Sequence, residues 1–134
     1  MNKEAYISFE TAKLLREKGF PQSTSICNVV YKPNGKMSFN AKSFINPCYL
    51  FKDWYIFAPT QQMACRWLRK RGIHIMPTIG CDVDRTPRIF YGAVIALFND
   101  YGDIDYRDPL DENGYNEPED AIEAALQYCL TNLI

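Results

Sequence analysis

The residues of this chain that could do chemistry are few and scattered. Five cysteines stand at positions 27, 48, 65, 81 and 129, beside a single histidine, His74. A nucleophilic thiol needs a base within hydrogen-bond reach. Cys65 precedes His74 by nine residues, but a predicted helix end and turn intervene, so the spacing alone establishes no contact. One imidazole and dispersed thiols do not readily make a tetrahedral zinc set. Cys65 falls opposite the apolar stripe of its helix, exposed on that reading, and is the candidate reactive thiol. Cys129 falls inside an apolar stripe and reads as core. The odd count and the lack of a CxxC pair fit reduced, packed thiols better than a disulfide scaffold.

Acidic residues gather in NDYGDIDYRDPLDENGYNEPED, residues 99–120. Asp100, Asp103, Asp105 and Asp108 suggest a hard cation, yet an EF-hand requires glycine at the sixth position and glutamate at the twelfth. Counting from Asp103, those positions hold Asp108 and Gly114. An irregular calcium site on Asp103, Asp105 and Asp108 remains as the alternative to a solvated acidic loop over about 99–117. Asp82-Val83-Asp84 spells DxD, a very weak metal signal in so short a chain, and two aspartates in a turn account for it. No GxGxxG or P-loop occurs, and no cofactor is implied.

The basic counterpart is RWLRKRG, where Arg66, Arg69, Lys70 and Arg71 crowd one end of a predicted helix. Helical geometry puts Arg66, Arg69 and Lys70 on the polar side and returns Arg71 toward the apolar stripe. These cations could grip phosphates, with Lys52 extending the patch and Trp54 or Tyr55 stacking on bases. Against this stands the balance of the whole chain. Residues 1–80 carry 12 Lys/Arg and 4 Asp/Glu, residues 81–134 carry 3 and 12, and the pI is near 5.8. Nucleic-acid-binding domains are usually basic overall. Solvation, or pairing with the acidic half, is the competing account, and opposite halves also permit head-to-tail self-association.

The elements that must position these groups are legible from caps and periodicity. Ser8 caps a first helix over 8–19 that carries Ala12 and Leu15 inward and ends at Gly19. SICNVVYK and KMSFNAK flank Pro33-Asn34-Gly35 and read as a tight hairpin. CYLFKDWYIFA reads as a third strand or another hairpin, closed by Pro59. Thr60 caps the second helix, whose apolar stripe is Met63, Ala64, Trp67 and Leu68 and whose end is Gly72. IHIMPTIG and RIFYGAVIALF read as paired strands, the second apolar on both faces and therefore central. Asn116 or Glu117 starts a third helix, with Pro118 in its first turn and Ala121, Ile122, Ala125, Leu126, Cys129 and Leu133 on one face. The expected fold is one α+β domain over 1–134, a mostly antiparallel sheet packed with about three helices.

ISFETAKLLREKGF, APTQQMACRWLRKRGIHI and EPEDAIEAALQYCLTNLI together resemble a family of short proteins, without assigned activity, of gut bacteria and their phages or mobile elements. They cover about a third of the chain. The resemblance implies a small cytosolic α+β domain with an accessory role in a mobile element, and supplies no catalytic residue.

With no apolar run of about 18 residues and no secretory leader, no membrane association is expected and a cytoplasmic location is. The expected function is a small accessory or binding factor working through protein contacts, with a protein partner ahead of nucleic acid. Nucleic-acid binding through the helix over 60–72 and a small enzyme are the alternatives.

Overall fold

The computed structural model describes residues 5–22, 29–39, 56–82 and 88–134. Its elements in chain order are α1 (Phe9–Glu17), β1 (Val30–Tyr31), β2 (Met37–Ser38), β3 (Ile56–Phe57), α2 (Gln61–Arg69), β4 (Ile73–Asp82), β5 (Arg88–Phe98), β6 (Ile104–Arg107) and α3 (Pro118–Asn132). The chain is α+β, with three helices and antiparallel pairing throughout the described residues. Among the described residues the strands form two three-stranded sheets, in the orders β2-β1-β3 and β4-β5-β6. Pro59 and α2 separate the two sets of strands, and strands close in sequence find each other first. The chain divides into two compact units, residues 1–63 and 64–134.

In the first unit, the Ser8 hydroxyl accepts the Thr11 N–H at 3.2 Å and starts α1 as its spacing predicts. The helix closes when Gly19 and Phe20 donate to the carbonyls of Arg16 and Leu15. Thr11, Ala12 and Leu15 are its buried face, and α1 packs on β3. The β1–β2 connection is the tight Pro33-Asn34-Gly35 loop that the sequence predicts. Gly35 N–H donates to Lys32 O, Lys32 N–H donates to Lys36 O, and only Gly35 has positive φ, at 84°. Pro33 holds its φ near the value a type I turn needs, which leaves Gly35 to take the left-handed position after it. Residues before α1 run beside those before α2: Tyr6 bridges Thr60, and Ile7 N–H donates to Pro59 O. The buried Tyr31 hydroxyl donates to the Ile7 carbonyl at 2.6 Å, tying β1 to the same segment.

In the second unit, β4 and β5 pair over ten positions, from Ile73 opposite Leu97 to Asp82 opposite Arg88. β5 is central, as its apolar character on both faces predicts. α3 lies across β4 and β5 with Ala121, Ala125, Leu126, Cys129 and Leu130 buried. Glu117 is its N-cap residue and Pro118 opens it, where a missing N–H costs nothing. Burying a leucine such as Leu126 contributes about 2 kcal/mol, so this face holds the helix down.

The segment expected as an acidic loop contains β6. Ile104 pairs with Phe98 and Arg107 with Ile95. Asn99 builds the turn into it, its side-chain oxygen accepting the N–H groups of Tyr101 and Asp103 at 2.9 and 3.0 Å. Farther on, Tyr115 rather than Asp111 faces Tyr91 across the same edge of β5, so the intervening acidic residues loop outward. No helix among the described residues is long and apolar enough to cross a membrane.

Candidate functional site

The basic residues of α2 lie where their helical positions predict. Thr60 caps the helix, its hydroxyl accepting Met63 N–H at 3.2 Å. Arg66, Arg69, Lys70 and Arg71 are all exposed, and none makes an ion pair among the described residues. Arg71 departs from the other three: its guanidinium lies 3.6 Å from the centre of the Trp67 ring. A cation so placed is held by the indole face. Lys52, Trp54 and Tyr55, which would extend this surface, lie outside the described residues, as does Asp84 of the DxD.

Cys65 differs from its expected place. The buried residues of the helix are Gln61, Ala64 and Leu68, so the inward stripe runs between Met63 and Trp67 on one shoulder and Cys65 on the other. Cys65 is half-buried rather than exposed. Burial pushes its thiol upward, the nearby Arg69 cation pulls it back, and Glu123 adds a smaller upward push. Cys129, fully buried on α3, is pushed up to about 12, first by burial and then by Cys65. A thiol held protonated is a poor nucleophile. His74 belongs to the opposite face of the sheet, its ring 4.7 Å from that of Phe98. The thiol and the imidazole thus do not form a catalytic pair.

The aspartates also fail to converge. Asp105 accepts from Arg107 Nε at 3.4 Å, and Asp103 accepts from the Asn99 amide at 3.4 Å. Among the described residues no three metal-ligating side chains come together, so Asp103, Asp105 and Asp108 do not form the cation site considered from their spacing. The reason is strand geometry. Residues two apart along an extended chain stand too far apart to share a small ion unless a loop folds them back.

What the structure does assemble is a surface the sequence hid. The register of β4, β5 and β6 sorts side chains by parity onto two faces. Ile73, Ala93 and Ile95 are buried on one face, and Arg107 on that face reaches Tyr128 of α3. This is the helix side. The other face carries His74, Met76, Val94, Ala96, Phe98, Ile104 and Tyr106. Phe98 stands opposite Ile104, and Ala96 lies between His74 and Tyr106. Met76 is 38% exposed, Phe98 43%, Ile104 44% and Tyr106 61%. Toward its far end, Phe90 lies over Gly80, where an added Cβ would stand 2.4 Å from the ring, and the Arg88 guanidinium sits 5.8 Å from the ring centre. Contiguous apolar groups left open on a sheet face mark an interaction surface more often than isolated ones do. The signal for it was present in Asp103-Ile104-Asp105-Tyr106-Arg107, a strict polar–apolar alternation masked by its acidic surroundings.

The chain matches no family model, no curated protein and no solved structure.

Proposed function

We propose that this protein is a small accessory binding factor that works through protein–protein contacts, and that the open face of β4, β5 and β6 is its contact surface. The observation that carries the proposal is the exposure of Phe98, Ile104 and Tyr106 together at one end of this face, with Met76 exposed farther along β4 and Ala96 buried between them. Aromatic residues and methionine are favoured in the centres of such contacts because they give large contact areas for little lost freedom. The accessory role implied by the three family-like segments accords with a chain whose described residues gather no acid, base and nucleophile in one place. A benzophenone side chain placed at position 106 should crosslink a discrete protein in lysate of the producing cells. The same group at Glu119, on α3, should not. Adducts with general chaperones alone would count against the proposal.

A second reading has one observation in its favour. Arg66, Arg69 and Lys70 are exposed and lack ion pairs among the described residues, so α2 could neutralise phosphates. Binding of labelled single-stranded DNA, duplex DNA or RNA that falls steeply with salt and disappears in the Arg66→Glu, Arg69→Glu, Lys70→Glu variant would support it. No binding at low salt would remove it.

A further inference from the structure

We infer that the occupant of the open sheet face is a cationic amphipathic segment of a partner protein, one that sets apolar side chains against the sheet and lysines or arginines at its border. This rests on the protein-binding role proposed above and adds the chemistry of the partner. The apolar part of the surface is formed by Phe98, Ile104 and Tyr106 around the buried Ala96, with Met76 and Val94 farther along the same face. Its border along β6 is acidic. Asp100 and Asp103 lie in the turn that carries Phe98 into Ile104, Asp108 follows the end of the strand, and all three are exposed. None of them makes an ion pair among the described residues.

The nearby cations are committed elsewhere. Arg107 belongs to the helix side by its register, lies near Tyr128 and pairs with Asp105. Arg71 comes close through the bond between Phe98 and Gly72, but its guanidinium lies over Trp67. Arg88 stands at the opposite end of β5, over Phe90 and bonded to Asn116 at 3.4 Å. A partner that brought carboxylates or phosphates to the β6 border would meet like charge. One that brought ammonium or guanidinium groups would gain attraction where its apolar groups are being buried, and charge matching of this kind favours encounter and correct orientation.

The test uses the full chain and three fluorescein-labelled peptides of equal length: alternating leucine and lysine, alternating leucine and glutamate, and alternating serine and lysine. Anisotropy is followed at low and physiological salt. The expected result is saturable binding of the leucine–lysine peptide alone. Affinity should fall about tenfold or more in Phe98→Ser, Tyr106→Ser, a loss typical of truncating aromatic anchors. It should also fall, and lose most of its salt dependence, in Asp100→Asn, Asp103→Asn, Asp108→Asn. Circular dichroism on both variants establishes that they are folded.

Equal binding of the leucine–glutamate peptide, lost in the serine variant, would overturn the cationic partner while leaving the open face as a binding surface. Leucine–lysine binding that survives the serine variant would overturn the assignment to this face. Self-association abolished by Tyr106→Ser would show that a second copy of the chain is the occupant and would overturn the proposal. Absence of binding by all three peptides would overturn the cationic segment, and the crosslink from position 106 then decides separately whether the face binds protein at all.

Discussion

The backbone N–H of Phe98 donates to the carbonyl of Gly72 at 2.9 Å, and a Cβ added to Gly72 would stand 2.8 Å from the Phe98 carbonyl oxygen. The residue that ends α2 is therefore also the first rung of the β4–β5 ladder, one step before Ile73 meets Leu97. Lys70, Arg71 and Gly72 alone link helix to strand, and Gly72 takes a φ of 78° that lets the partner backbone approach. Gly72→Ala meets both obstacles at once and should destabilise the protein by about 2 to 4 kcal/mol, measured as a lower urea midpoint. A change within error would mean that the junction relaxes freely.

Arg71 and Arg66 carry the same charge in different settings. Arg71 covers the Trp67 ring, whereas Arg66 makes no such contact among the described residues. Arg71→Ala should cost about 0.5 to 1 kcal/mol and alter tryptophan fluorescence. Arg66→Ala should leave stability within about 0.5 kcal/mol of the parent. Equal effects in thermal melts would show that the ring contact contributes nothing.

The Tyr31 hydroxyl is buried and satisfies the Ile7 carbonyl. Tyr31→Phe keeps the packing against Phe9, whose ring centre lies 5.3 Å away, but leaves that acceptor without its hydroxyl donor. A loss of about 1 to 2 kcal/mol is expected, read by denaturant unfolding with the slope unchanged.

Among Cys65, Cys81 and Cys129, alkylation by iodoacetamide at pH 8 should mark Cys81 first, since it alone is exposed. Cys65 should follow slowly and Cys129 last, because burial raises both thiols. The sign for stability follows from the same shift. An unfolded thiol ionises near about 8.5, whereas folded Cys129 holds its proton to about 12. Its contribution is complete below the unfolded value and is lost as pH rises toward the folded one. Urea midpoints should fall above pH 9 more in the parent than in Cys129→Ala. Parallel curves would disprove the assignment.

Tyr106 and Leu126 test whether the open face serves stability or contact. Tyr106 is mostly exposed and Leu126 is fully buried. Tyr106→Ser should cost no more than about 1 kcal/mol, the scale of one cross-strand pair. Leu126→Ala should cost about 2 to 5 kcal/mol. A large loss at Tyr106 would mean that the face is held together by its own aromatics, and its exposure would no longer argue for a partner.

The sequence by itself determined what is decided within a few residues. The caps at Ser8 and Thr60, the helix opening at Pro118, the end of α2 at Gly72 and the paired strands at 73–80 and 88–98 all depend on local backbone bonds and short periodicities. The tertiary structure decided what depends on a neighbour. β6 exists because the edge of β5 offers partners to Ile104–Arg107, and acidic composition does not prevent a strand whose charges face water. Cys65 is half-buried because the inward stripe of α2 centres on Ala64 and Leu68, a choice made by what the helix packs against. The open apolar face appeared only when three strands were set in register, since parity along one strand says which residues share a side and only packing says which side is covered.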